Sequence, residues 1–377
     1  MIKKLITLGT IASVVGMMAP ALAVAQTNVT TGLTKDTEGG QTPIVKAKWE
    51  AYGETAGNIV VNSPLDYYQD ASTKAGAQIN PTGVKDENRT IAGCAVVTDP
   101  DGLADITSSP GAVYMDVFYP DVDLGEHHTP LPDQSGVACG NFMQEDKMSK
   151  LSKADGIELF CNRVRTNNNN LPSFTDGYDY DEICAPDGEL LKETAAVYCV
   201  TKDLSYEDPS GNYKIWAVAQ DKTGNQGRLE NVMEYTPLTA FETDFDSIAY
   251  GNVRLDTHKI ISGDLTWDLL KDGKASVRNV GNTRLAMRVW QDDMGFGKTD
   301  GNWNVKFDAR VGSNAPFKNY FPETTQTLED ELDLSELDEM DFSILVSKFP
   351  PQHESDIYSG DMVLSAVSRA HLSCTTD

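Results

Sequence analysis

One stretch constrains this chain more than any other: Tyr213 to Tyr235, YKIWAVAQDKTGNQGRLENVMEY. Tyr213, Ile215, Ala217 and Ala219 fall at every second position, with Lys214 and Gln220 on the opposite side. A period of two marks a strand with one buried face. Asp221 to Gly227 then gathers Asp, Asn and Gly, which reverse a chain for backbone reasons. The stretch reads as two strands joined by a tight polar turn.

The lead-in DPSGNY resembles the tyrosine corner of immunoglobulin-like sandwiches, in which a Gly-x-Tyr opens strand F. On that frame Tyr213–Tyr235 is the F–G hairpin. Thr90 to Thr98 reads as strand B, DPDGLAD as an acidic loop, and Ala112 to Tyr119 as strand C. Residues from about 120 to 192 form a long insertion, in which Met148, Leu151, Ile157, Phe160 and Val164 recur at helical intervals. Thr194 to Thr201 returns to a strand.

Upstream, Val45, Ala47, Trp49 and Ala51 alternate with Lys46, Lys48 and Glu50, a half-buried strand. It belongs either to this sandwich or to a neighbouring molecule's sheet. Downstream, Thr236-Pro237-Leu238 reads as a boundary. Short strands are expected over Ser247–Leu255 and Asp264–Leu270, and a hairpin around Val280-Gly281-Asn282. A second insertion, about 291–341, contains EDELDLSELDEMD. Its Leu328, Leu332, Leu337 and Met340 suit a short helix, with Ser335 and Asp338 as a capping box. Phe342–Phe349 and Tyr358–Val367 complete the fold. The chain therefore reads as mainly β, with two sandwiches in tandem: 26–82 an N-terminal segment with one strand and a linker, 83–237 the first sandwich, 238–370 the second, and 371–377 a tail.

Residues 1–25 read as a secretory signal: Lys3 and Lys4, an apolar run from Leu5 to Met18, and Ala23-Val24-Ala25 as the cleavage site. No later stretch is apolar enough to span a membrane. A formal charge of −26 argues against nucleic acid, whose phosphates such a chain repels. The six cysteines of an exported chain suggest disulfides, and none has CxxC spacing. Cys161 and Cys184 flank an irregular loop and are the expected pair.

Asp99, Asp101 and Asp105 in the B–C loop, with Asp221 and Asn225 in the F–G turn, lie at one end of such a sandwich. They are the candidate calcium ligands, set against their ordinary use as turn residues. Glu126, His127 and His128 read as a solvated loop, because adjacent strand histidines point to opposite sides. Phe174, Tyr178 and Tyr180, among acids, form the candidate binding surface for a sugar, set against burial in the insertion's own core. No HExxH, G-x-S-x-G or phosphate loop is present.

TDPDG with AVYMDVFYPD, YKIWAVAQDKTGN and RNVGNTRL together resemble secreted, immunoglobulin-like surface proteins of prokaryotes. The usual cysteine two residues after the corner tyrosine is Ile215 here, so that resemblance implies non-standard bridges. It also implies an extracellular structural or adhesive role without catalysis, with self-assembly, surface proteins or glycans as partners. A carbohydrate-binding module and a carboxylate-dependent hydrolase are the alternatives.

Overall fold

The computed structural model describes residues 40–52, 77–120, 122–123, 142–164, 180–269, 274–350, 357–369 and 372–373. The signal segment, Cys139, Cys374, Glu126, His127 and His128 lie outside them.

The fold is mainly β and built of facing sheets. The first part of the chain holds β1 (Ile44–Tyr52), β2 (Ala77–Ile79), β3 (Asn88–Thr98), β4 (Ala112–Phe118), β5 (Val122–Asp123), β6 (Phe142–Lys147), β7 (Ser149–Lys150), β8 (Ala195–Ser205), β9 (Gly211–Gln220) and β10 (Gln226–Tyr235), of which β2 and β5 stand outside the two facing sheets. One sheet runs β1-β3-β8-β7 and the other β10-β9-β4-β6. Val45, Ile91 and Val97 from the first meet Met115, Val117, Tyr213, Ile215 and Met233 from the second. The hairpin is realised as β9 and β10, paired from Gly211↔Tyr235 to Gln220↔Gln226. The corner is realised too: the Tyr213 hydroxyl donates to the carbonyl of Pro209, 2.8 Å away.

β1 pairs with β3 of its own chain. Its simple alternation does not survive. The register shifts between Val45 and Ala47, so Val45 joins the inter-sheet core while Ala47, Trp49 and Ala51 face the other way. There they meet a layer built by the insertion: a helical run Lys153–Val164, wound as a π-helix from Ile157, and helices Tyr180–Cys184 and Glu189–Lys192. Phe160 packs against Trp49 with ring centroids 5.5 Å apart. Cys161 and Cys184 are bonded within this layer, and Cys94 and Cys199 join directly opposed positions of β3 and β8 beneath it. The insertion is partly helical, as expected, and its β6 and β7 extend the two sheets.

Lys48 and Glu50 are not a solvated face. Both are almost fully buried and pair with one another. The Lys48 ammonium also donates to Asn231 of β10, whose amide donates to Glu50 at 2.9 Å. A polar triad thus closes the edge between β1 and β10.

The second pair of sheets uses β11 (Phe241–Thr243), β12 (Lys259–Ile261), β13 (Ser276–Asn279), β14 (Leu285–Gln291), the small ribbon β15 (Lys298–Thr299) and β16 (Asn302–Trp303), β17 (Val305–Val311), β18 (Lys318–Tyr320), β19 (Gln326–Leu332), β20 (Leu337–Val346) and β21 (Met362–Ser368). Orders are β11-β13-β20-β17-β18, with β12 also on β20, and β19-β14-β21. Four expectations are corrected here. Residues 291–341 are no insertion, because β17, β18 and β19 supply core and ladder. The acidic run is the end of β19, a tight turn and the start of β20, which lie in different sheets, and not a helix. Its turn is set by Asp333, whose carbonyl accepts from Glu336 N while its own N–H reaches the Glu336 carboxylate at 2.6 Å, and Ser335 takes a positive φ of 62°. Val280-Gly281-Asn282 does not join a hairpin, because β13 and β14 lie in different sheets. Asn282 instead binds the linker, accepting from Leu238 N at 2.7 Å and donating to Thr236 O at 3.0 Å. Gly281 sits so close to the Leu238 carbonyl that a Cβ would collide with it. Ser247–Leu255 and Asp264–Leu270 are irregular where described. The last described strand, β22 (Leu372–Ser373), pairs with β5.

Two predictions follow from burial. Lys48→Met leaves Glu50 buried without its cation and is expected to cost about 3–5 kcal/mol by urea denaturation at pH 7. Adding Glu50→Leu should recover most of that loss, and a single-variant cost under about 1 kcal/mol would show that the triad does not hold this edge. Asp208 accepts from the Tyr119 hydroxyl at 3.0 Å and from Ser205 N at 2.7 Å, and burial pushes its carboxyl up to about 6. The folded state therefore holds this proton more tightly than the unfolded chain. The contribution is full below about pH 4 and is lost as pH rises through about 6, by about 3 kcal/mol. Asp208→Asn should flatten the stability curve across that window, and an unchanged curve would refute the assignment.

Candidate functional site

The expected acidic constellation does assemble at one end of the first sandwich, but its members are bound to neighbours. Asp221 is buried and accepts from Thr223 N, Thr223 Oγ1 and Asn225 N through Oδ1, at 2.8–2.9 Å. Its Oδ2 accepts from Asn225 Nδ2 at 2.9 Å, and that amide also reaches Gly40 O at 3.1 Å. Lys222 holds Asp105 at 2.8 Å. Asp101 accepts from Gln41 N at 2.5 Å, and Asp99 from Asp101 N at 2.7 Å. Burial first, then the charges of Asp105, Asp101 and Asp221, push the Asp99 carboxyl up. Among the described residues no three His, Cys, Asp or Glu side chains converge as a metal site. The acids thus tie the N-terminal segment to the loops, as in the Asx-type turns for which such residues are chosen.

Of the expected sugar-binding aromatics, Phe174 and Tyr178 lie outside the described residues, and Tyr180 opens a short helix. A different aromatic surface is in view. The outer face of β10-β9-β4-β6 carries the alternate residues of each strand. Register places Arg228, Val218, Tyr114 and Lys147 in one row across the sheet. The next row holds Glu230, Trp216 and Asp116, and the one after it Lys214 beside Phe118. Phe118 packs on Trp216 with ring centroids 4.6 Å apart, and the Arg228 guanidinium lies over the same indole at 4.2 Å. Val218 is the small residue of the set. A groove of about 500 Å³ opens above it, walled by Tyr114, Trp216 and the carboxylate-bearing Asp116 on one side and by Gln220, Gln226 and Arg228 opposite. Gln226 donates its amide to Gln220 at 2.8 Å, which leaves each of them further polar capacity. The indole N–H of Trp216 is buried and has no acceptor among the described residues.

This surface was written in the sequence. The period that sends Tyr213, Ile215 and Ala217 inward sends Trp216 outward, and the period of AVYMDVF does the same for Tyr114 and Phe118. Large aromatics at solvent positions of central strands were the available signal. Sheet and chemistry together make a rigid platform: β9 has both ladders filled, so the side chains it projects are held by backbone on either side. Glu230 and Asp116 flank Trp216 in its row.

No protein-family model matches the chain, and no curated protein matches it. Solved structures with partial likeness include the CsuC–CsuE chaperone–tip adhesion subunit pre-assembly complex from archaic chaperone-usher Csu pili of Acinetobacter baumannii, at 9% identity and TM-score 0.24, covering 77% of this chain and 96% of that one. A chaperone–tip adhesin complex of CFA/I fimbriae biogenesis gives 10% and 0.22, covering 86% and 92%. A carbohydrate-binding module of the β-sandwich superfamily gives 11% and 0.18, covering 87% and 96%. The β-sandwich assignment rests on the strand pairing above, and function on this chain's own side chains. Among the described residues no helix is long and apolar enough to cross a membrane.

Asp221→Ala strips the F–G turn of its acceptor and is expected to cost about 2 kcal/mol by urea denaturation, with an unchanged slope. A loss below about 0.5 kcal/mol would show that the turn holds without it.

Proposed function

We propose that the protein is an exported, non-catalytic surface protein that acts by adhesive contact, and that the groove on the outer face of β9 is its contact site. The observation that carries this is Trp216. A large aromatic on the solvent side of a central strand, flanked by Tyr114 and Phe118 and rimmed by polar groups, matches how recognition sites combine apolar area with a few orienting polar atoms. Disulfides within the helical layer and across β3–β8 suit a protein exposed to an oxidising exterior. No assembly role is proposed for β1, which is committed to β3.

Beads coated with the full chain, washed over mucin-, pectin-, cellulose- and fibronectin-coated glass, test it. Retention on at least one surface is expected, and Trp216→Ala should lower it about fivefold or more while the melting temperature holds. Equal retention of both proteins on every surface that holds either would place the contact elsewhere.

A further inference from the structure

The chain carries 57 acidic residues against 31 basic ones, and several of its cations are paired with carboxylates. Lys222 at the surface and the half-buried Arg278, Arg310 and Lys318 are among them. Arg228, the cation in the groove's lining, is not. It is exposed, Glu230 stands two residues along the same face, and yet no carboxylate of the described residues pairs with it. Its guanidinium rests on the Trp216 ring instead. Lys147 and Lys214 share the face, both exposed, and no ion pair among the described residues takes either one. The groove's lining thus sets the Arg228 guanidinium across from one carboxylate, Asp116, with Lys147 exposed at the end of the Arg228 row.

We propose that the groove binds a carboxylate-bearing sugar: a uronate unit of an acidic polysaccharide or oligosaccharide. The inference rests on reading the groove as the contact site and names its ligand class. The sugar's C–H face packs against Trp216 and Tyr114 over the low floor of Val218. Its carboxylate takes the paired N–H donors of Arg228, the bidentate match for which guanidinium is suited. Its hydroxyls meet Gln220 and Gln226, whose amides supply both donors and acceptors. The volume, about 500 Å³, falls in the range of small-ligand sites. A peptide is disfavoured at this place: β9 lies between β10 and β4 with both ladders filled, so the face offers no free backbone for strand addition.

Isothermal calorimetry of the oxidised full chain against oligogalacturonate, cello-oligosaccharide and poly-glutamate decides it. Oligogalacturonate is expected to bind and to weaken as salt rises, while the neutral sugar binds about tenfold or more weakly. Arg228→Gln should remove about tenfold of the oligogalacturonate affinity and Arg228→Lys less, since lysine keeps the charge and loses the fork. Trp216→Ala should abolish binding at unchanged melting temperature. Equal affinity for both sugars, or no effect of Arg228→Gln, would overturn the acidic ligand while leaving the contact site standing. Poly-glutamate binding as tightly as oligogalacturonate would overturn the sugar in favour of an anionic peptide. No binding to any of the three, with bead retention still lost in Trp216→Ala, would overturn the ligand class alone. No binding and no effect of Trp216→Ala on retention would remove both readings.

Discussion

A buried ammonium holds the first sandwich shut. Lys48, Glu50 and Asn231 occupy the seam where β1 of one sheet passes β10 of the other, and nothing solvates them there. Removing charges from water is costly, and apolar residues of similar size often serve stability as well or better. What such a triad adds is position. Hydrophobic contacts tolerate a slipped register, but three groups that satisfy one another allow only one placement of β1 against β10. That placement also sets β1's other face against the helical layer, so Trp49 and Phe160 depend on it in turn.

The same seam reaches the outer surface through β10. Asn231 points inward and Arg228 outward from one strand, so the residue that fixes the edge and the residue at the rim of the groove share a backbone. β9 and β4 carry the aromatic wall on strands whose inward residues, Tyr213, Ile215, Met115 and Val117, are fully buried. A site assembled from alternate residues of core strands inherits the rigidity of the core, whereas loop-borne sites must be ordered separately.

Local pattern made much of this legible. The F–G hairpin, its corner tyrosine, and strands B and C followed from a period of two with turn residues between. What failed did so where tertiary context overrode spacing. The β1 alternation concealed a register shift after Val45, and its polar residues were buried as a triad that only β10 could complete. Leu328, Leu332, Leu337 and Met340 fit a helical period, yet the Asp333–Glu336 turn splits them between two strands. The link at Val280–Asn282 resembled a hairpin because its residues suit a turn, and whether a turn stays within a sheet or crosses to the facing one is not encoded locally. Trp216 was visible throughout, but attention to inward residues passes over the outward ones.

The side chain of Asn282 has a mechanical meaning. It grips Thr236 and Leu238 on either side of Pro237, Ser210 N donates to its carbonyl, and the Tyr206 hydroxyl and Glu207 both reach Ser335. A joint clamped on both sides of its proline does not act as a swivel. Tension applied beyond it is passed on to the sheets rather than dissipated by bending. A load borne at one sandwich is therefore felt at the other, as in a spar rather than a chain of links.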